Sequence, residues 1–162
     1  MLRIRLYGRD PDDVQLGCDV LAAVLRGAGL AAHICAGDDG DGQRADAAVV
    51  LDPELIAGVP AAALTDAAVL YVNAPGAPCG RAPHAGRVRA ANAAAIARRH
   101  GLDSRVATAM VGVFAGASGV VALDRVVTAV ADRRPAARDA HVAAVAEGYR
   151  LGEAVLEKGW TL

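Results

Sequence analysis

Short apolar runs set between stretches of helical periodicity limit the folds open to this chain. ADAAVVLD (45–52) and AAVLYVN (67–73) are almost continuously apolar, and runs of that kind suit strands covered on both faces, as in a parallel sheet. LRIRLY (2–7) alternates Leu2, Ile4 and Leu6 with Arg3 and Arg5, which predicts a strand with one buried face near a sheet edge. LAAHI (30–34) reads as a further short strand. Between the first two strands, Val14, Gly17, Cys18, Leu21, Val24, Leu25 and Ala28 recur at intervals of three and four. This is a helix face, and Gly27 and Gly29 end it. PELIAGVPAAAL (53–64) reads as a short helical crossover, and RVRAAN (87–92) as a strand entering a helix over 92–101. VATAMVGVFAGASG (106–119) is so apolar that it must be a buried helix. Two more helices are expected over 123–134, with Asp124 as N-cap, and over 137–158. The alternation predicts an α/β protein, a three-layer α/β/α sandwich with a mostly parallel, Rossmann-like sheet. At 162 residues, one core is expected, a single domain over 1–162.

Charge narrows the partners. Seventeen basic residues against eighteen acidic ones give a formal charge of −1, which supplies no electrostatic footprint for nucleic acid or an anionic membrane. Only 3% of the residues are aromatic while 54% are hydrophobic, so Ala, Val and Leu must build the interior. Cys18, Cys35 and Cys79 are widely spaced and form no C-x-x-C pair, which suggests neither a disulfide framework nor a zinc site. With no signal-like start and no membrane-length apolar run, a cytoplasmic location is expected.

The turn after the first strand reads Gly8-Arg9-Asp10-Pro11-Asp12-Asp13. In many α/β proteins this turn is glycine-rich and seats a phosphate on the helix N-terminus. Here Asp10 is placed as N-cap, Pro11 at the first helical position, and Asp12 and Asp13 where carboxylates favour the helix dipole. A bound phosphate would meet these charges. Two unit charges about 4 Å apart repel by about 4 kcal/mol at an effective dielectric constant of about 20. The turn therefore suits a helix start better than a nucleotide.

Other constellations are less informative. Cys79 lies near Arg81 and His84 in a Pro/Gly-rich loop, a setting that can lower a thiol pKa but equally holds inert cysteines. His33, His84, His100 and His141 lack ligand spacing, and no metal site is expected. His100, beside Gly101, suits a helix C-terminus. DDGDG (38–42) lacks the remaining ligands of a calcium loop. No nucleophile and base pair can be read off, so no catalytic residue is assigned. Asn73 follows a buried strand at its carboxyl end, the edge where α/β sheets place ligands. With Ala74, Pro75, Thr108 and Met110 it is the candidate for a residual cofactor site or a partner contact, the alternative being an Asn that satisfies its own turn.

Several segments carry a family resemblance. RIRLYGR…VLAAVLRGAG near the start, DAAVVLDPELI (46–56), VLYVNAP (69–75), AANAAAIARRHGL (90–102), ATAMVGVFAGASGVVALDRVVTAV (107–130) and HVAAVAEGY (141–149) resemble the gamma subunit, or gamma domain, of the 2-oxoacid:ferredoxin (acceptor) oxidoreductases. The pyruvate, 2-oxoglutarate and 2-oxoisovalerate enzymes belong to that group. The family's G-R-G-G-Q-G turn survives here only as Gly8 and Arg9, followed by Asp10, Pro11, Asp12 and Asp13. Its Gly-Pro-Glu-x-Arg-Gly loop is replaced by the shorter CAGDDGDGQRA. The resemblance implies an accessory, non-catalytic subunit of a complex that oxidatively decarboxylates a 2-oxoacid to an acyl-CoA. It places thiamine diphosphate, magnesium, iron–sulfur clusters and coenzyme A on partner subunits. A stand-alone ligand- or protein-binding domain on the same scaffold is the alternative. A subunit is expected to expose an apolar patch, on the last helix or the 74–86 loop.

Overall fold

The structure, a computed structural model, describes residues 1–37, 42–75, 87–133 and 137–157. Five strands form one sheet: β1 (Leu2–Tyr7), β2 (Ala32–Ala36), β3 (Ala45–Val50), β4 (Leu64–Asn73) and β5 (Val88–Ala91). Their order is β2-β1-β3-β4-β5 and every pair is parallel. The helices are α1 (Pro11–Gly27), α2 (Ala93–Arg99), α3 (Ala107–Ser118), α4 (Leu123–Arg133) and α5 (Arg138–Glu157).

All five helices share one core with one face of the sheet, where Ile4, Leu6, Ala47, Val49 and Tyr71 meet Leu21, Ile96, Met110, Val126 and Val145. The opposite face carries Ala48, Val50, Leu70, Val72 and Val88, packed with Ile56 and Val59. The cover there comes from two 3₁₀ turns, Pro53–Gly58 and Ala61–Ala63. The expected helical crossover between β3 and β4 thus takes the tighter form. Pro53, Gly58 and Pro60 punctuate the segment too often for a sustained α-helix.

β1 lies next to the edge strand β2, near the sheet edge as expected, but it is paired on both sides and Arg5 is buried. Its guanidinium donates to the carbonyls of Gly37 (3.1 Å) and Gln43 (2.9 Å), tying both ends of the β2–β3 connection to the sheet. The charged side chain is tolerated inside because backbone acceptors replace its water. β2 runs two residues later than its sequence suggests. The Leu30 N–H closes onto Leu25 as α1 ends, and the Leu2 N–H pairs with Ala31.

α3 is buried around its whole circumference and runs parallel to α5. A Cβ added at Gly112 would collide with the Val145 carbonyl, at Gly116 with that of Tyr149, at Gly148 with that of Ala109, and at Gly152 with that of Val113. Two G-x-x-x-G pairs therefore face each other, letting the backbones touch along two turns. Dispersion and weak Cα–H···O contacts replace the interlocking of large side chains. No helix among the described residues is long and apolar enough to cross a membrane. The large apolar side chains exposed among the residues with described side chains are Met1, Leu30 and Val120, none of them on α5 as far as Val155; residues 76–86 of the second expected patch lie outside the described residues.

Candidate functional site

In a sheet of order 2-1-3-4-5, chain connections leave β1 and β3 in opposite directions, and ligands of such folds sit at the carboxyl ends of these two strands. Here the chain's own groups crowd part of that place. The Gly8 backbone passes so close to α1 and to the residue after β3 that a Cβ would stand 2.7 Å from Val14 Cγ2 and 3.1 Å from Leu51 Cδ1. The Leu51 N–H donates to the Tyr7 carbonyl at 2.8 Å. The Arg9 N–H donates to Asp52 Oδ2 at 2.7 Å, and the Arg9 side chain faces Glu54 at 3.9 Å with both exposed.

Asp10 is the N-cap of α1, its carboxylate accepting from the Asp12 N–H at 3.0 Å, and Pro11 opens the helix. This is the role its position predicts. Asp10→Ala should lower stability by about 1 kcal/mol, read as a shift in urea midpoint; an unchanged midpoint contradicts the capping role.

Asp13 does something its sequence position does not reveal. The side chain is buried, only 4% exposed, and Oδ2 accepts from the backbone N–H groups of Val106 (2.9 Å) and Ala107 (3.0 Å). Val106 supplies no side-chain cap to α3, so a carboxylate in the first turn of α1 caps a second helix across the fold. Burial pushes the Asp13 carboxyl up to about 6, against the two N–H groups that favour its charged form, with Asp10 and Asp52 adding repulsion. Two helix N-termini that could receive an anion are thereby capped from within.

Asn73 anchors the next crevice along the sheet. It is buried, donates from Nδ2 to the Leu51 carbonyl at 2.8 Å, and accepts from the Ala94 N–H on Oδ1 at 3.0 Å. The Asn92 side chain accepts from the Ala95 N–H at 3.0 Å and caps α2. Asn73 thus joins β3, β4 and α2. Asn73→Ala strands the Leu51 carbonyl and the Ala94 N–H and should lower stability by about 2 kcal/mol. A urea midpoint equal to wild type would contradict this bridging role.

The other sequence candidates go to different partners. Thr108 Oγ1 meets His141 Nδ1 at 2.9 Å, both buried, which links α3 to α5. Met110 is fully enclosed in the core. Asn73, Thr108 and Met110 each serve separate packing contacts. His100 caps α2, and its ring lies 2.7 Å from Glu147. Glu147 also pairs with Arg99, and that hydrogen bond, then the one from His100, holds its carboxyl below the usual range against partial burial. Asp38, Asp39, Asp41, Cys79, Arg81 and His84 lie outside the described residues. Among the described residues no three His, Cys, Asp or Glu side chains converge as metal ligands.

Two hollows flank the α1 start. One of about 390 Å³ is lined mainly by apolar groups, including Leu6, Pro11, Val14 and Leu55. The other, of about 590 Å³, is strongly charged, with Asp10, Asp12, Asp13 and Asp19 facing Arg105 and Arg133.

The sequence pattern of the family described as pyruvate ferredoxin/flavodoxin oxidoreductase matches residues 19–151. No curated protein matches the sequence. Pyruvate oxidoreductase subunit PORC (EC 1.2.7.1) of Thermotoga maritima superposes with a TM-score of 0.69 at 22% identity, over 91% of this chain and 94% of its own. The gamma subunit of the keto/oxoacid ferredoxin oxidoreductase from Geobacter sulfurreducens PCA superposes with a TM-score of 0.56 at 22% identity, over 70% of this chain and 65% of its own. At that identity the two structures share the fold with this chain. The family pattern spans most of the sequence, and the chain belongs to the pyruvate ferredoxin/flavodoxin oxidoreductase family.

Proposed function

We propose that this chain, a single domain, is a gamma-type subunit of a thiamine-diphosphate-dependent 2-oxoacid:ferredoxin or acceptor oxidoreductase, which converts a 2-oxoacid to an acyl-CoA. The family match over 19–151 carries the reading. The site geometry supports an accessory role, since Asp10, Asp13 and Asn73 at the carboxyl edge of the sheet are engaged in structural contacts.

The described residues offer little to hold the family's cofactors. Cys18 and Cys35 are half-buried on separate elements, and among the described residues no ligand cluster forms, so an iron–sulfur centre finds no thiolate set there. The capped N-termini of α1 and α3 likewise suit no phosphate of thiamine diphosphate or coenzyme A. In this reading partner chains hold thiamine diphosphate, magnesium, the clusters and coenzyme A, while this chain supplies scaffold.

Extracts of cells lacking the chain test the proposal, with pyruvate, 2-oxoglutarate and 2-oxoisovalerate offered in turn alongside coenzyme A and a viologen dye. One of these 2-oxoacid-dependent reductions should fall to background and return when purified chain is added. Undiminished reduction with every 2-oxoacid contradicts the proposal.

A further inference from the structure

Apolar exposure gathers at one end of the molecule. The large apolar side chains exposed among the residues with described side chains are Met1 (71%), Leu30 (37%) and Val120 (40%). Met1 precedes β1, and the Leu2 N–H donates to the Ala31 carbonyl at 2.9 Å, which sets it beside Leu30. Val120 follows α3, whose start is held by Asp13 at the carboxyl edge of the sheet, so this helix ends at the edge where the strands begin. The Arg125 guanidinium donates to the Gly27 carbonyl and ties the turn between α3 and α4 to the end of α1. Neither 27–32 nor 119–123 contains a charged residue, and Ala31 and Ala122 are exposed between the larger groups. Single exposed apolar residues are ordinary, whereas a gathered, charge-free set marks a surface that something covers.

α5 delivers its own continuation to this surface. It runs parallel to α3, with Gly148 against Ala109 and Gly152 against Val113 and Ala117, and continues to Glu157, beyond the end of α3 at Ser118. The Tyr149 hydroxyl donates to the Val121 carbonyl at 3.2 Å, fastening α5 to the α3–α4 turn. Burial, then the charges of Glu153 and Asp124, hold that hydroxyl above its ordinary value, so two carboxylates stand beside the apolar surface. The five residues after Glu157, outside the described residues, are Lys158, Gly159, Trp160, Thr161 and Leu162. They include the chain's only lysine and its only tryptophan. Five extended residues span at most about 17 Å.

We propose that the apolar surface formed by Leu30 and Val120 is the docking site of the chain's own segment 158–162. In this arrangement Trp160 covers Val120 and Leu30 with the largest apolar ring the chain possesses. Lys158 meets Asp124 and Glu153, and the negative end of the α5 dipole adds to its attraction. Gly159 between them permits the change of direction from the helix axis. A second copy or a partner subunit would have to bring the same pairing of ring and cation, whereas this segment is tethered beside the surface and loses no freedom of separate association.

A single tryptophan makes the test direct, because all indole emission comes from Trp160. The full chain is compared as wild type, as Leu30→Asp/Val120→Asp, as Lys158→Glu and as Gln15→Asp, the last placing a new carboxylate on the exposed start of α1 at the opposite end. Acrylamide should quench wild-type emission several-fold less than emission from the chain unfolded in urea, and equally at every protein concentration. Quenching of the double variant should rise to the unfolded level while circular dichroism shows its helices retained; Gln15→Asp should quench as wild type does. Lys158→Glu touches no core position and keeps the test valid should the double variant not fold: it too should raise quenching, and no change overturns the proposal. Wild-type emission quenched as freely as in urea overturns it as well and leaves the surface to a partner subunit. So does shielding that survives the double substitution, which seats Trp160 elsewhere. Shielding lost on dilution together with a dimer mass in light scattering also overturns it, giving the surface to a second copy.

Discussion

Gly112→Ala is expected to lower stability by about 3 kcal/mol, a large loss for the addition of one methyl group. The new Cβ has nowhere to go. It would press on the Val145 carbonyl and on the Tyr149 backbone, and main chain cannot swing aside as a side chain can. Relief requires α3 and α5 to separate, which also loosens the neighbouring contacts at Gly116, Gly148 and Gly152. Gly27→Ala is the matched control: it stands in helix α1 at an ordinary φ, and its added Cβ meets nothing within 4 Å. There the helix propensity of alanine should raise stability by about 0.5 kcal/mol. Urea unfolding of the two variants distinguishes the cases, and a Gly112→Ala effect as mild as that of Gly27→Ala would contradict the close α3–α5 crossing.

The second large effect is a pH dependence. In the unfolded chain the Asp13 carboxyl has its ordinary value of 3.8, and in the folded protein burial raises it to about 6. Between those values the folded state holds the proton that the unfolded state has released. Folding stability from this group is therefore greatest below pH 3.8, declines as pH rises, and reaches its floor above pH 6. The interval corresponds to about 3 kcal/mol. Asp13→Asn keeps an oxygen to accept from Val106 and Ala107 but cannot ionise, so its stability should lack this decline. Wild type and the variant share every other titrating group, so the difference between their unfolding free energies isolates this one. From about pH 4 to about pH 7 that difference should move by about 2 kcal/mol, with wild type losing ground to Asp13→Asn as the pH rises. Parallel curves would show that Asp13 titrates alike in both states.

Much of the fold is legible in the sequence. Continuous apolar runs such as ADAAVVLD identify parallel strands because β3 is covered on both faces. The uninterrupted apolarity of 106–119 identifies a helix enclosed on all sides. β1 misleads because alternation assigns polar residues to solvent, whereas Arg5 finds carbonyl acceptors on a loop distant in sequence. The start of α1 is half legible. Asp10 acts on its own helix, and local spacing is enough to find such a cap. Asp13 acts on a helix that begins more than ninety residues later, and the only sequence sign of it is that Val106 leaves α3 without a cap of its own. Asn73 is legible as a residue at a strand's carboxyl end, whereas its partners, Leu51 and Ala94, are distant in sequence and leave no local sign. The matched four-residue spacing of Gly112 with Gly116 and of Gly148 with Gly152 is visible in the sequence. Its meaning depends on α3 and α5 lying side by side.

Whether this chain works as one subunit of a larger oxidoreductase is addressed most directly by anaerobic affinity purification from its own cells. Thiamine-diphosphate and iron–sulfur subunits should emerge with the tagged chain. Emergence of the 16.4 kDa chain alone would contradict the subunit role.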